Sequence, residues 1–121
     1  MTDGTFDDET VHEWLADVAV SAWVSLHYES PSLNGLGRGE ISGGGYVRQL
    51  TGFSVPSNRT IWSTEDARWS GLLPNRLTHF GIWDSKVSGK LRAYGKLGKP
   101  ALIVQGGAYI LRDGQIALSI A

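Results

Sequence analysis

The sequence predicts a mainly β domain: an antiparallel β-sandwich of jelly-roll type with one N-terminal α-helix. Three observations support this prediction. They are a helical repeat of apolar residues near the N-terminus, a glycine-rich loop over 32–45, and short apolar or alternating runs from residue 46 onward that are separated by turn residues. With 121 residues, 41% of them hydrophobic, the chain fits a single domain over 1–121 with one modest core.

The predicted helix spans about 8–20. Asp7, Asp8 and Glu9 cluster at its start, where the helix dipole favours negative charge. An isolated helix of this length is marginal in water, so we expect it to dock on the domain through its apolar face. The residues with the i, i+3, i+4, i+7 spacing of that face are Val11, Trp14, Leu15, Val18, Ala19 and Ala22.

The β-sandwich is predicted over 22–121. A first alternating run covers residues 23–28 and ends at Ser30-Pro31, after which the glycine-rich loop occupies 32–45. Asp113-Gly114, between two apolar runs, predicts a β-hairpin. The other predicted strands cover 46–54, 59–63, 66–70, 75–83, 90–96, 101–105, 107–112 and 115–120.

The charge is balanced overall but unevenly distributed. The formal net charge is −1 and the pI is near 6.3, so we predict no binding to nucleic acid. The first 17 residues hold six acidic and no basic residues, which gives the remainder a net charge of +5. No apolar run approaches the ~18 residues of a membrane helix, and the acidic N-terminus is unlike a signal peptide. We therefore expect synthesis in the cytoplasm and no membrane contact.

The sequence offers no catalytic, metal or cofactor site. Because the chain has no cysteine, disulfides and thiolate ligands are excluded. His12, His27 and His79 do not share a metal-ligand spacing, and no serine lies in a Gly-x-Ser-x-Gly turn. Gly35-Leu-Gly-Arg-Gly39 lacks the strand and helix that flank a phosphate-binding loop. We therefore predict a protein that is not an enzyme and needs no cofactor.

Two other classes of function stay open on the sequence. The chain has five tryptophans, and a carbohydrate-binding module could stack Trp62, Trp69 or Tyr46 on a surface glycan. A small hydrolase acting on cell-wall material would need two carboxylates about 5–9.5 Å apart. Glu40 and Asp84 are carboxylates of this kind, but the sequence gives no reason to bring them together.

Several short motifs follow one another in a characteristic order over roughly 10–120. They are Val24-Ser-Leu-His27 with Pro31, Glu40-Ile-Ser-Gly-Gly-Gly-Tyr-Val-Arg-Gln49, Thr78-His-Phe-Gly-Ile-Trp-Asp84, Gly89-Lys-Leu91, Tyr94-Gly-Lys-Leu97 with Pro100, and Gly114-Gln-Ile116. In this order and spacing the sequence resembles small virion structural proteins of tailed bacteriophages, described as tail-fibre or minor tail proteins.

The resemblance implies a virion component made in the host cytoplasm. Such a protein acts by self-association, with a trimer favoured, and by docking to other virion proteins. A tail or minor tail protein is the first expectation. The alternatives are a capsid decoration protein and a receptor-recognition module that binds a host surface glycan.

The candidate interface residues lie around the glycine-rich loop and on two later strands. A loop of this length is costly to order, so we expect contact with a neighbouring subunit to hold it. Tyrosine, tryptophan and arginine are the residues that most often anchor interfaces. The candidates are Leu36, Arg38, Tyr46, Arg48, Gln49, Trp62 and Trp69.

Overall fold

The structure is a computed structural model that describes residues 15, 16, 18, 22–31, 37–57 and 60–119. The described residues form eight strands, and every strand pair is antiparallel, which confirms the prediction of a mainly β, antiparallel protein. The strands are β1 (Ala22–His27), β2 (Gln49–Thr51), β3 (Thr60–Trp62), β4 (Ala67–Leu72), β5 (Asn75–Trp83), β6 (Leu91–Ile103), β7 (Gly107–Leu111) and β8 (Ala117–Ser119).

The largest sheet has four strands in the order β2-β1-β5-β6. Strand β1 lies between β2 and β5, and its pairing with β5 runs from Trp23 opposite Trp83 to His27 opposite His79. Successive side chains of a strand point to opposite faces. On one face, Val24 and Leu26 of β1 join the hydrophobic core, and we call this the inner face. The other face is the outer face.

The remaining strands form one long antiparallel ribbon. The pair β3 and β8 begins with Thr60 opposite Ser119, and the pair β4 and β7 begins with Ala67 opposite Leu111. Between the two pairs, the Ser63 N–H donates to the Ile116 carbonyl at 2.9 Å, which keeps the same register. The segment containing β3 and β4 therefore runs alongside the segment containing β7 and β8 along its whole length.

The predicted hairpin at Asp113-Gly114 is wrong. A tight turn is present, because Gly114 has φ of 79° and the Gln115 N–H donates to the Arg112 carbonyl at 3.0 Å. The flanking strands, however, pair with β4 and β3 and not with each other. The Gly114 N–H donates to the Ser63 carbonyl at 2.7 Å, so the turn is an outward loop in the ribbon.

The ribbon and the four-stranded sheet share one core, but the β-sandwich is not confirmed. The described strands divide into a four-stranded sheet and two two-stranded pairs, which is not the pairing of two larger sheets that a jelly roll requires. The core residues from the sheet include Val24, Leu26, Phe80 and Ile82, and those from the ribbon include Ile61, Ala67, Trp69, Leu72, Leu111 and Leu118.

The predicted helix over 8–20 lies largely outside the described residues, and it is not supported, because no helix is among the elements of the described part. Leu15 and Val18, two of its apolar-face residues, are described and are buried in the core. Val11 and Trp14 lie outside the described residues. Within the described ranges, no helix has the length and hydropathy of a membrane span.

The glycine-rich loop is described from residue 37 onward, and this part packs against its own chain. The Gly45 N–H donates to the Gly71 carbonyl of β4 at 2.8 Å, and Gly43 and Gly44 have φ of 82° and 56°. A Cβ on Gly45 would lie 2.7 Å from the Ser70 carbonyl oxygen. Contacts within the chain therefore order this part of the loop, and contact with a neighbouring subunit stays a prediction.

Candidate functional site

The outer face of the four-stranded sheet carries a cluster of buried polar groups. We call it the polar cluster, and it lies between β1, β5 and the segment 37–48. Its position follows from strand alternation, which turns Ser25 and His27 away from the core residues of β1. The residues of the polar cluster are Ser25, His27, Glu40, Tyr46, Arg48 and Trp83.

One half of the polar cluster is a directed chain of hydrogen bonds. The His27 Nδ1 lies 2.8 Å from the Arg38 carbonyl, an acceptor, so Nδ1 carries the proton and Nε2 accepts. The Ser25 hydroxyl therefore donates to His27 Nε2 at 2.6 Å. The Trp83 Nε1–H donates in turn to Ser25 Oγ at 2.8 Å. Burial lowers the pKa of His27, which keeps the imidazole neutral.

Gly81 makes room for this chain. It lies opposite Ser25 in the pairing of β1 with β5. A Cβ at Gly81 would lie 2.6 Å from Ser25 Oγ and 3.1 Å from His27 Nε2. The glycine is therefore required by the close approach of a neighbouring strand and not by a turn.

The other half of the polar cluster is a charged pair. Arg48 donates from Nε and Nη2 to the two carboxylate oxygens of Glu40, each at 2.9 Å. Its Nη1 donates to the carbonyls of Ser85 and Ser88, at 3.1 and 2.6 Å, in the turn between β5 and β6. Arg48 thus ties the loop that contains Glu40 to that turn.

Tyr46 completes the charged half. Its hydroxyl donates to Glu40 Oε2 at 2.6 Å and accepts the Leu26 N–H of β1 at 3.2 Å. Burial raises the pKa of Tyr46, and its bond to Glu40 raises the pKa further. Burial alone would raise the pKa of Glu40, but the hydrogen bonds from Arg48 and Tyr46 outweigh burial and lower it. Glu40 is therefore an anion held by two donors.

The polar cluster has the groups of a nucleophile and a base, but neither group is exposed to solvent. A serine that donates to a histidine is the arrangement used in covalent catalysis. Here Ser25 and His27 are both 0% exposed. The Glu40 carboxylate accepts hydrogen bonds from Arg48 and Tyr46. The geometry supports a structural use, in which the polar cluster fastens the segment 37–48 to strands β1 and β5.

The candidate interface residues are placed in two different environments. Arg48 and Trp69 are buried, so the interpretation of Trp69 as a surface residue is wrong: its Nε1–H donates to the Val47 carbonyl at 2.9 Å. Tyr46 is half-buried and packs against the core. An interface role for Arg48, Tyr46 and Trp69 stays a prediction. The contacts that these residues make within the chain do not favour it.

The remaining candidates are more accessible. Trp62 is 40% exposed on β3, and Gln49 is half-buried on β2. Arg38 is exposed and pairs with Glu29 at 2.9 Å. Leu36 lies outside the described residues. Among the described residues, no hydrogen bond or ion pair joins Arg38, Gln49 and Trp62 to one another.

Sequence reasoning missed the polar cluster as a unit. It weighed His27 only as a metal ligand, and Glu40 only as a partner of Asp84. The available signal was the Ser-x-His spacing on β1, which places both side chains on one face. Among the described residues, no group of three side chains is suited to hold a metal ion.

Comparison with known families gives a match that spans most of the chain. The family described as Podophage GP4 fiber I protein gp80 matches residues 15–119. This span includes all the described strands and the polar cluster. Comparison with curated proteins gives no match. The chain therefore belongs to the family of podophage fibre proteins described as GP4 fiber I protein gp80, and it is a structural protein of the phage virion.

Proposed function

We propose that this chain is a non-enzymatic subunit of a tail fibre that works by self-association and by docking to other virion proteins. Membership of the fibre family supports a tail location over capsid decoration. The burial of the Ser25 and His27 pair supports a non-enzymatic role. The single observation that carries self-association is a group of exposed aliphatic side chains on the segments that follow β4 and end β6, which meet through their backbones.

This group, which we call the end patch, consists of Leu73, Leu102 and Val104. Their exposed fractions are 40%, 80% and 68%. The Gly106 N–H donates to the Leu72 carbonyl at 2.8 Å, so the segment after β6 and the segment after β4 meet. Exposed apolar groups that lie together mark interaction surfaces more often than isolated ones do.

The nearby sheet edge is less suited to association. Strand β6 lies at the edge of the four-stranded sheet, where another chain could add a strand. The middle of β6 contains Lys96, Lys99 and Pro100, and its pairing with β5 shifts in register there. Charged residues, proline and bulges on an edge strand all hinder pairing with another chain. Side-chain contact through the end patch is therefore favoured over extension of the sheet. This supports a closed oligomer, and the resemblance favours a trimer.

Analytical ultracentrifugation tests self-association. We expect the wild-type chain to form an oligomer of defined size, and the double variant Leu102→Lys and Val104→Lys to shift toward monomer. Leu50→Lys is the matched control, because Leu50 is 56% exposed on β2, away from the end patch. A wild-type chain that is monomeric at every concentration would overturn self-association.

Localisation of this chain on intact virions tests docking to other virion proteins and the choice between tail and capsid. An affinity label on this chain should appear on the tail in electron micrographs of the virion. A label on the capsid surface would instead support the decoration protein. Failure of the label to enter particles would overturn the docking proposal.

A further inference from the structure

A bulge in β6 creates a cavity that the structural role does not use. Leu77 pairs with Ala101 and His79 pairs with Lys96, so β6 has four residues where β5 has only Thr78. Three extra residues are thus accommodated, and Pro100, which lacks an N–H, lies among them. The bulge moves β6 away from a straight path where the sheet faces the ribbon.

The cavity has a volume of about 300 Å³, which is at the lower end of the range for small-molecule sites. Its apolar side is formed by buried residues of three segments, Phe80, Leu97 and Ile116. Lys96 and Lys99 also line it, and none of its lining residues is acidic. The cavity therefore combines an apolar floor with positive charge.

Polar groups at the cavity are free to bind a ligand. Tyr109 is half-buried, and among the described residues its hydroxyl has no hydrogen-bond partner, while burial raises its pKa and keeps it protonated. Gln115 accepts the Arg112 N–H through Oε1 at 2.6 Å, which leaves its amide N–H groups unused in that bond. Within the described part, neither Lys96 nor Lys99 forms an ion pair.

We propose that this cavity binds an acidic sugar unit, a pyranose ring that bears a carboxylate. The apolar floor and the Tyr109 ring suit the C–H face of a sugar. The Gln115 amide and the Tyr109 hydroxyl suit ring hydroxyls, and the lysine ammonium groups suit a carboxylate. A bare phosphate ion would leave the apolar floor unused. The proposal goes beyond the structural role and does not depend on the oligomeric state.

Nuclear magnetic resonance titration of the ¹⁵N-labelled chain tests the proposal with three probes, D-glucuronate, D-glucose and inorganic phosphate. We expect saturable shifts with glucuronate, confined to residues 96–101, 109–111 and 115–116. Lys99→Gln should weaken glucuronate binding about tenfold, as expected for loss of one charged hydrogen bond. Tyr109→Phe should weaken it less. Lys90→Gln, in the turn before β6, is the control and should leave binding unchanged.

Each other outcome would overturn the proposal. Equal binding of glucose would remove the role of the carboxylate, and equal binding of phosphate would reduce the site to one for any anion. Shifts outside the cavity, or an equal loss of affinity in Lys90→Gln, would mean that general surface charge attracts the probe. An absence of saturable binding to the wild-type chain would exclude the site.

Discussion

Arg48 lies over the indole ring of Trp83, with its guanidinium carbon 3.7 Å from the ring centre. The same indole donates its N–H to Ser25. Trp83 therefore joins the charged half of the polar cluster to the hydrogen-bond chain of Ser25 and His27. Replacement of one residue of the polar cluster should therefore weaken hydrogen bonds of other cluster residues that it does not contact.

Arg48→Ala should destabilise the protein strongly. The variant leaves the Glu40 carboxylate without its bidentate partner and removes two bonds to the turn between β5 and β6. Breaking a buried ion pair in this way should lower the free energy of unfolding by about 3 kcal/mol. Urea denaturation measures this loss. Arg68→Ala is the control, because Arg68 pairs with Asp66 at an exposed position and should contribute less than about 1 kcal/mol.

Acid should weaken the protein through Glu40. Its pKa is lowered from the ordinary value of 4.5, so its contribution is present above pH 4.5 and is lost as pH falls through the lowered pKa. We expect Tm to fall in this acid range, and Glu40→Gln to remove part of that dependence. Thermal unfolding followed from pH 7 to pH 3 measures both. Identical pH profiles for wild type and variant would contradict the prediction.

Protonation linked to His27 should lower the stability of the protein at a higher pH than protonation of Glu40 does. Its pKa is lowered from 6.5, so below pH 6.5 the unfolded chain binds more protons than the folded chain, and stability falls as pH falls. Burial also lowers the pKa of His79, with the charge of Lys96 as a further cause, so His79 acts in the same range. His27→Gln should flatten the pH dependence of the unfolding free energy between about pH 6.5 and its lowered pKa.

The imidazole signals of His27 give an independent measurement of the same group. At pH 6.5, where an ordinary imidazole is half protonated, they should be mainly those of a neutral ring with the proton on Nδ1, because burial lowers the pKa of His27. Signals of a charged ring at that pH would show that burial does not hold the histidine neutral.

Gly81→Ala should disrupt the polar cluster by crowding. The added Cβ would lie 2.6 Å from Ser25 Oγ, and neither flanking strand can move freely. Overpacking of this kind costs about 1–3 kcal/mol. Gly98→Ala is the matched control: a Cβ there meets nothing within 4 Å, so its effect should stay within about 0.5 kcal/mol. Equal unfolding midpoints for the two variants would contradict the crowding argument.

The local pattern of the sequence predicted strands well where neighbouring residues decide the structure. The predicted strand 75–83 matches β5, and the predicted strand 107–112 is within one residue of β7. The runs 90–96 and 101–105 were separated at Pro100, but they form the single strand β6 because a bulge accommodates the proline.

The predictions that failed concern residues whose structural partners lie far away in the sequence. The Asp113-Gly114 turn was recognised, but Ser63 and the strands on either side of it decide where β7 and β8 pair. The polar cluster was missed for the same reason: Ser25 and Trp83 meet only because β1 pairs with β5. Strand alternation predicts which face a side chain occupies, but it does not predict what covers that face.

We expect the ribbon to close in a definite order during folding. The segment that joins its two sides, residues 73–106, is the β5–β6 hairpin, whose strands are linked by the short turn at 84–90. Local contacts form before distant ones, because closing a long loop costs entropy that later contacts must offset. Formation of the hairpin brings Leu72 and Gly107 together, and the ribbon can then close from that end toward Thr60 and Ser119. The two ends of the ribbon that are farthest from the hairpin are thus the last to pair and the first to separate.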